Sequence, residues 1–481
     1  MSGLSDVATA PGSPGAAKLR FYGLWVATAV VLVVLPYIFR SGGALTAFSL
    51  VGISIIFSLS YNILLGQTGM LSFGHAVYYG LGGFLAIHGM NLIAGLKLPV
   101  PLPLVPLIGG LAGLLFAAIL GWVSTRRSGT AFAMISLGVA ELVASSALIL
   151  RSFFGGEAGV SANRTKLLRL FDLNFGSQIQ IYYLVAFWTL IAAIAMYALT
   201  RTPLGRMCNA VRDNPERVQF VGYDPHVVRY LAFCFAGFFA GIAGALAAIN
   251  FEIANSAYLG AVQSGTVLFA TYIGGVGFFI GPIVGAIFVT LLSLGLSDLT
   301  SVWQLYFGIF FIAIVMFAPG GITGLMMMHR PLLKAGTLGK VLPSYLLAFV
   351  PTLATVAGLM LAIETIVHYT VNSDEDPKTK AFGIQFDASS PITWALAAAE
   401  RCCRRCAEAL IARAPAPTPR PRSLPPVPAR SAPCRRGSSN SISMNARLVL
   451  WQPARLPSAR RPRSAVAAPW HRPPSPRRRR P

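Results

Sequence analysis

Charge is what this chain has least of. Asp, Glu, Lys and Arg make up 11% of its 481 residues, against 55% hydrophobic. Acids number 16, histidines six and cysteines six. His75, His88, His226, His329, His368 and His471 stand singly, so the sequence shows none of the clustered His, Asp and Glu that an integral-membrane enzyme needs at the bilayer edge. Cys402, Cys403 and Cys406 contain a CxxC, but no second pair or histidine follows at zinc-finger spacing, so no metal site is expected. A Gly-x-x-x-x-Gly-Lys-[Ser/Thr] phosphate loop is missing as well. The nearest approach, Lys334-Ala-Gly-Thr-Leu-Gly-Lys340, lacks the first glycine and the hydroxyl, so any nucleotide must be hydrolysed elsewhere.

What is present is a series of long uncharged runs. Leu24–Phe39, Leu45–Leu65, Leu102–Val123 and Ile181–Leu199 each approach the length that crosses a hydrocarbon core of about 30 Å. Lipid offers no partner to a free N–H or C=O, so such runs must be helical. The expected fold is all-α: a polytopic transmembrane helical bundle of about 9–11 spans. Spans are expected near 22–39, 45–66, 74–94, 102–123, 131–150, 181–200, 230–249, 302–318 and 342–368, with an interrupted helix near 265–297. That last segment carries Gly274, Gly275, Gly277, Gly281 and Pro282, which predicts two short helices joined by an irregular turn. Residues 1–21 form a Gly/Ser/Ala/Pro-rich leader ending in Lys18 and Arg20, and the run after it reads as a first span rather than a cleaved signal. With the N-terminus cytoplasmic, Lys and Arg near span ends number 12 inside against 8 outside, the bias expected of that orientation.

Span 230–249 places Gly237, Gly241 and Gly244 at three- and four-residue steps, so another helix can approach closely, either within the subunit or across a subunit interface. Polar groups at membrane depth are few. Glu141 is the clear acid, and it needs a partner or water. Gln67, Thr68, Ser72 and His75 cluster near a Gly-rich run, and Tyr272 lies beside the glycine break. These six are candidates for a polar translocation path; the alternative is that they brace neighbouring helices.

The loop 201–229 carries three cap-plus-proline pairs: Thr202-Pro203, Asn214-Pro215 and Asp224-Pro225. Each fits an N-cap followed by proline at the first helical position, and Gly222 sits where a C-terminal cap belongs. The loop parses as helix 203–213, helix 215–221 and the start of a span. Leu204, Met207, Cys208 and Val211 form an apolar stripe that either grips a motor protein or belongs to an ordinary interfacial loop.

Beyond residue 400 the composition changes. Residues 401–481 hold 19 arginines, one acid and 16 of the 33 prolines, too little apolar material for a core. Residues 1–400 carry only 20 Lys and Arg against 15 acids, so the basic character belongs to the tail. A basic arm is one reading; an out-of-frame stretch of a GC-rich gene is the preferred one, and no nucleic-acid partner is expected.

The run from Asn62 to Phe84, NILLGQTGMLSFGHAVYYGLGGF, resembles the signature of LivM-type permeases of bacterial branched-chain amino acid ABC importers. So do Leu204-Gly-Arg with Ala210-Val-Arg-Asp and Gly222, Tyr272-Ile-Gly-Gly-Val-Gly with Gly281-Pro, and Phe317-Ala-Pro-Gly-Gly-Ile-Thr-Gly-Leu. The resemblance covers about 22–325 as the permease domain; the extra span and polar segment at 326–400 depart from it. It implies a subunit without cofactors or enzymatic activity of its own. Its expected partners are a homologous LivH-like permease, two ATP-binding subunits, a periplasmic substrate-binding protein and the lipid of the bacterial inner membrane. By position, the loop resembles a coupling segment that docks on the ATPase, with Leu204, Gly205, Arg206, Met207, Ala210, Arg212, Asp213, Glu216 and Gly222 as its residues. Importers of urea or short-chain amides have similar permeases, and an ion-coupled secondary transporter is the rival from another class. Deleting 401–481 is expected to leave membrane insertion intact, read as the amount of truncated chain in carbonate-washed membranes; loss of insertion would show that the tail matters.

Overall fold

The computed structural model describes residues 14–167, 175–300, 302–318, 320–334, 357–360, 362–366, 378–381 and 384–387. The tail 401–481 and most of the expected span 342–368 lie outside the described residues. Six helices there are long and apolar enough to cross a bilayer: α2 (Gly42–Asn62, continued by a π-helical turn Ile63–Thr68), α3 (Ala76–Leu96), α4 (Val105–Ser124), α5 (Thr130–Ile149), α7 (Gln178–Arg201) and α10 (Pro225–Phe251). At 1.5 Å per residue they run for roughly 30–40 Å. Other apolar segments among the described residues are shorter or broken. The glycine break cuts its segment into α11 (Ala261–Gly274) and α12 (Gly281–Ser297), and α13 (Trp303–Phe317) bends into α14 (Gly321–Lys334). In α1 (Pro14–Ile38) the apolar part is Trp25–Ile38.

Helix α10 is the axis of the bundle: 89% of its apolar window is buried, against 28% for α5. Its glycines make this possible. A Cβ on Gly109 of α4 would stand 2.8 Å from the Gly241 carbonyl oxygen, and one on Gly113 would stand 3.0 Å from the Gly241 Cα. Gly82 of α3 meets the same stretch, and a side chain at Gly244 would strike the backbone of Tyr79. The glycine stripe therefore serves packing inside the subunit, where contact rather than expulsion of water holds helices together.

The break near 275 forms as expected, with Gly275 at φ +113, a conformation L side chains rarely adopt. Gly281 and Gly285 fold α12 back onto Gly274 and Ala270. The turn is level with the last turn of α7, where Tyr197 meets Phe279 at 5.2 Å, so it sits at one end of the bundle. That end also carries α8 (Pro203–Asp213) and α9 (Pro215–Phe220). At the opposite end, β1 (Val160–Ser161) pairs antiparallel with β2 (Ile253–Ala254), joining the segment after α5 to the end of α10. A four-residue helix α6 (Arg151–Phe154) precedes this ribbon. Arg164 ion-pairs with Glu252 at 3.3 Å and donates to the carbonyls of Ile249 and Asn250, supplying positive charge where the α10 dipole ends. A separate hairpin pairs β3 (Lys378–Ala381) with β4 (Ile384–Asp387).

Replacing Gly241 with Leu is expected to lower stability by about 3 kcal/mol through overpacking, read as a lower Tm in detergent. Gly295, which has open space beside it, should accept Leu with no change in Tm.

Candidate functional site

The helices of loop 201–229 begin as their sequence dictates. Thr202 Oγ1 accepts from the Gly205 amide at 3.3 Å, Asn214 Oδ1 from Arg217 at 3.0 Å and Asp224 Oδ1 from His226 at 2.9 Å. Proline follows each cap, so no orphan N–H arises at that position. Gly222 takes φ +92 and ends the pair. Gly205 is demanded by packing, since a Cβ there would stand 2.7 Å from Thr200 Cα on the end of α7.

The apolar stripe of α8 turns inward. Cys208 and Val211 are buried, and Leu204, Met207 and Ala210 pack half-buried against the same core. Between α8, α7 and the π turn remains a void of about 10 Å³, room for one water at most. Burial pushes the Cys208 thiol up to about 12. Two polar side chains of α8 then fasten it to the π turn. Asn209 Nδ2 donates to Gln67 Oε1 at 2.8 Å, and Arg212 Nη1 donates to the Gly66 carbonyl. Arg212 also lies over Gly69, where a Cβ would approach its Cγ to 2.9 Å. In a π turn the wider ring loosens the ordinary ladder, and Arg212 meets the freed acceptor.

The face turned away from the bundle carries different residues. Arg206, Asp213 and Glu216 are exposed, and Asp213 accepts from the neighbouring Arg212 at 3.3 Å. Phe220 is 88% exposed, Val221 68% and Tyr223 50%. These three escaped the sequence reading, although large apolar residues between Arg217 and Asp224 in a charged loop are a legible signal. Asn209 gave no such signal.

Beyond Gly69 the chain doubles back in an irregular stretch, 69–75, and enters α3. Tyr61 Oη donates to the Ser72 carbonyl at 2.9 Å, and His75 Nε2 lies 2.9 Å from Ser60 Oγ. The His75 ring stacks on Phe57 at 5.5 Å. The Phe73 and Ala76 amides donate to Ser136 and Ser264, each at 3.0 Å, so hydroxyls from α5 and α11 replace the missing ladder. Thr68 Oγ1 donates to the Leu64 carbonyl at 2.6 Å. The structure thus brings Gln67, Thr68, Ser72 and His75 together, with their bonds directed into the subunit. Ser72 Oγ and His75 Nδ1 are buried without a hydrogen-bond partner. Glu141 lies apart on the exposed face of α5 with Gly138 and Ser145, and Tyr272 is half-buried beside Phe311. No group of three His, Cys, Asp or Glu able to hold a metal occurs among the described residues.

A family model described as "Branched-chain amino acid transport system / permease component" matches residues 43–319. The chain belongs to this family. It is 26% identical over 330 residues to the high-affinity branched-chain amino acid transport system permease protein LivM of Escherichia coli strain K12, covering 64% of this chain and 76% of the relative. It is 28% identical over 261 residues to the autoinducer 2 import system permease protein LsrC of Photorhabdus laumondii, covering 52% and 74%. With the ribose import permease protein RbsC of Haemophilus influenzae it shares 24% over 232 residues, covering 47% and 71%. No solved structure matches. The matched region of this permease holds the bundle from α2 through α13, including α8 and the π turn.

The raised Cys208 thiol makes a pH prediction. Only the thiolate reacts, so at pH 8 labelling of Cys208 by N-ethylmaleimide is expected to be about three orders of magnitude slower than at a free thiol. It should rise roughly tenfold per pH unit up to about 12. Peptide-resolved mass spectrometry checks this, and rapid labelling at pH 8 would show that α8 is not seated as described.

Proposed function

We propose that the chain is the transmembrane permease subunit of an ATP-driven importer of branched-chain amino acids, forming the translocation path with a homologous permease. In this reading two ATP-binding subunits sit below, a periplasmic binding protein delivers leucine, isoleucine or valine, and the bacterial inner membrane holds the N-terminus and α8 on the cytoplasmic side. The observation that carries the reading is the fastening of α8 to the π turn through Asn209–Gln67 and Arg212–Gly66. A push on α8 reaches the end of α2, and from there residues 69–75 and α3. Such a bonded element can bias a two-state bundle toward one opening or the other. The exposed Phe220, Val221 and Tyr223 supply an apolar contact for the ATPase on the side away from the lipid-embedded core.

The similarity to LivM supports an amino-acid substrate, while the similarities to ribose and autoinducer 2 permeases mark how broad the family is. Glu141 favours the amino acid. A carboxylate exposed near the middle of a 20-residue span is costly in lipid and suits an aqueous path carrying an ammonium group, which ribose lacks. Among the described residues Glu141 is the one acid exposed near the middle of a span, fewer than an ion-coupled transporter would be expected to place at membrane depth.

Uptake of labelled leucine into vesicles is expected to require the ATP-binding partners and ATP; accumulation by this permease without them would overturn the reading. Phe220→Asp is expected to cut ATP-driven uptake at least tenfold, the loss of one well-buried apolar contact, at unchanged subunit level and Tm. Arg206→Glu on the same exposed side should act in the same direction.

A further inference from the structure

At the end of the bundle opposite α8, the exposed stripe of α5 that holds Gly138, Glu141, Ser145 and Leu148 opens into a depression. It is lined by Leu148, Arg151, Gly155, Gly156 and Glu157, and its volume is about 420 Å³, within the range of small-molecule sites. Arg151 and Glu157 are both exposed, and among the described residues neither forms an ion pair. One cation, one anion and one apolar wall in a single hollow match the three parts of an α-amino acid: carboxylate, ammonium and aliphatic side chain.

The hollow is held rigidly. Gly155 and Gly156 take φ +72 and +67, which keeps its floor free of side chains, and a Cβ on Gly156 would stand 3.4 Å from the Arg151 Cγ. His88 bonds the Phe153 carbonyl at 2.7 Å, and Phe84 packs edge-on against Phe154 at 4.9 Å. On the other side the β1–β2 ribbon and the Arg164–Glu252 pair anchor the chain that follows. Preorganised groups lose little freedom when a ligand arrives, which raises affinity without further contacts.

We propose that this depression is an entry station for a zwitterionic α-amino acid, with Arg151 taking the carboxylate, Glu157 the ammonium group and Leu148 the side chain. The proposal rests on the importer reading and adds a binding site on the permease itself. From the station, the α5 stripe leads one way, through Ser145 to Glu141.

The test uses the full complex of both permeases and the ATP-binding subunits in nanodiscs, without the binding protein, and labelled L-leucine as probe. Leucinamide, which lacks the carboxylate, and 4-methylpentanoate, which lacks the ammonium group, are the competitors. Each is expected to bind about tenfold more weakly than leucine, the loss of one charge-assisted contact. Arg151→Gln should weaken leucine and 4-methylpentanoate about tenfold and leave leucinamide unchanged. Glu157→Gln should weaken leucine and leucinamide and leave 4-methylpentanoate unchanged. Equal loss for all three ligands, no loss for any, or no saturable leucine binding up to millimolar concentrations overturns the station. So does a result in which the variants weaken only capture of the binding protein, since the face is then a docking surface. ATP-driven uptake by the unmodified complex is measured alongside. Its absence removes the importer reading, whereas intact uptake with the wrong substitution pattern removes the station alone.

Discussion

A hydrocarbon solvent leaves no backbone amide or carbonyl unanswered, and the architecture follows from that demand. Where the helical ladder is intact, the problem is one of approach, and glycine solves it. Gly82, Gly109, Gly113, Gly237 and Gly241 let α3 and α4 touch α10 backbone to backbone. Where the ladder fails, at the π turn and residues 69–75, side chains from other elements supply the missing partner: Arg212 to the Gly66 carbonyl, Tyr61 to Ser72, Ser136 to Phe73 and Ser264 to Ala76. The irregular stretch is thus held by residues of α2, α5, α8 and α11 at once. A shift in any one of them is felt by the others.

Much of this was readable from the chain. The three cap-plus-proline pairs fix helix starts by local chemistry, so Thr202, Asn214 and Asp224 do what their spacing predicts. The Gly275 break likewise follows from backbone sterics. The stripe on α10 left two readings open because close packing looks the same within and between subunits; only the position of Gly109 and Gly113 decides it. The π turn was not legible, since nothing in the run Ile63–Thr68 marks a wide ring and the Gly66 carbonyl is met by a distant Arg212. For α8, periodicity gives the existence of an apolar face and not its direction. That face is spent on the subunit, and the residues free to meet another protein lie one short helix later, at Phe220 to Tyr223.

The polar candidates divide in the same way. Gln67, Thr68, Ser72 and His75 sit close in sequence and close in space, and their hydrogen bonds run inward. Glu141 differs because a helix exposes one side chain in every three or four, and it stands on the outward stripe of the least enclosed span. The two sets answer different needs: one keeps a bent backbone satisfied, the other leaves a charge where water or a second protein must meet it.

The central position of α10 also has a consequence for biosynthesis. The glycine faces of α3 and α4 are complete by residue 124, but the helix that fills them ends at residue 251. At about 5–20 residues per second, a ribosome needs roughly ten seconds to make the intervening chain. During that interval two grooved helices must wait in the bilayer with lipid in place of their neighbour, and the nascent protein is then most open to pairing with the wrong one.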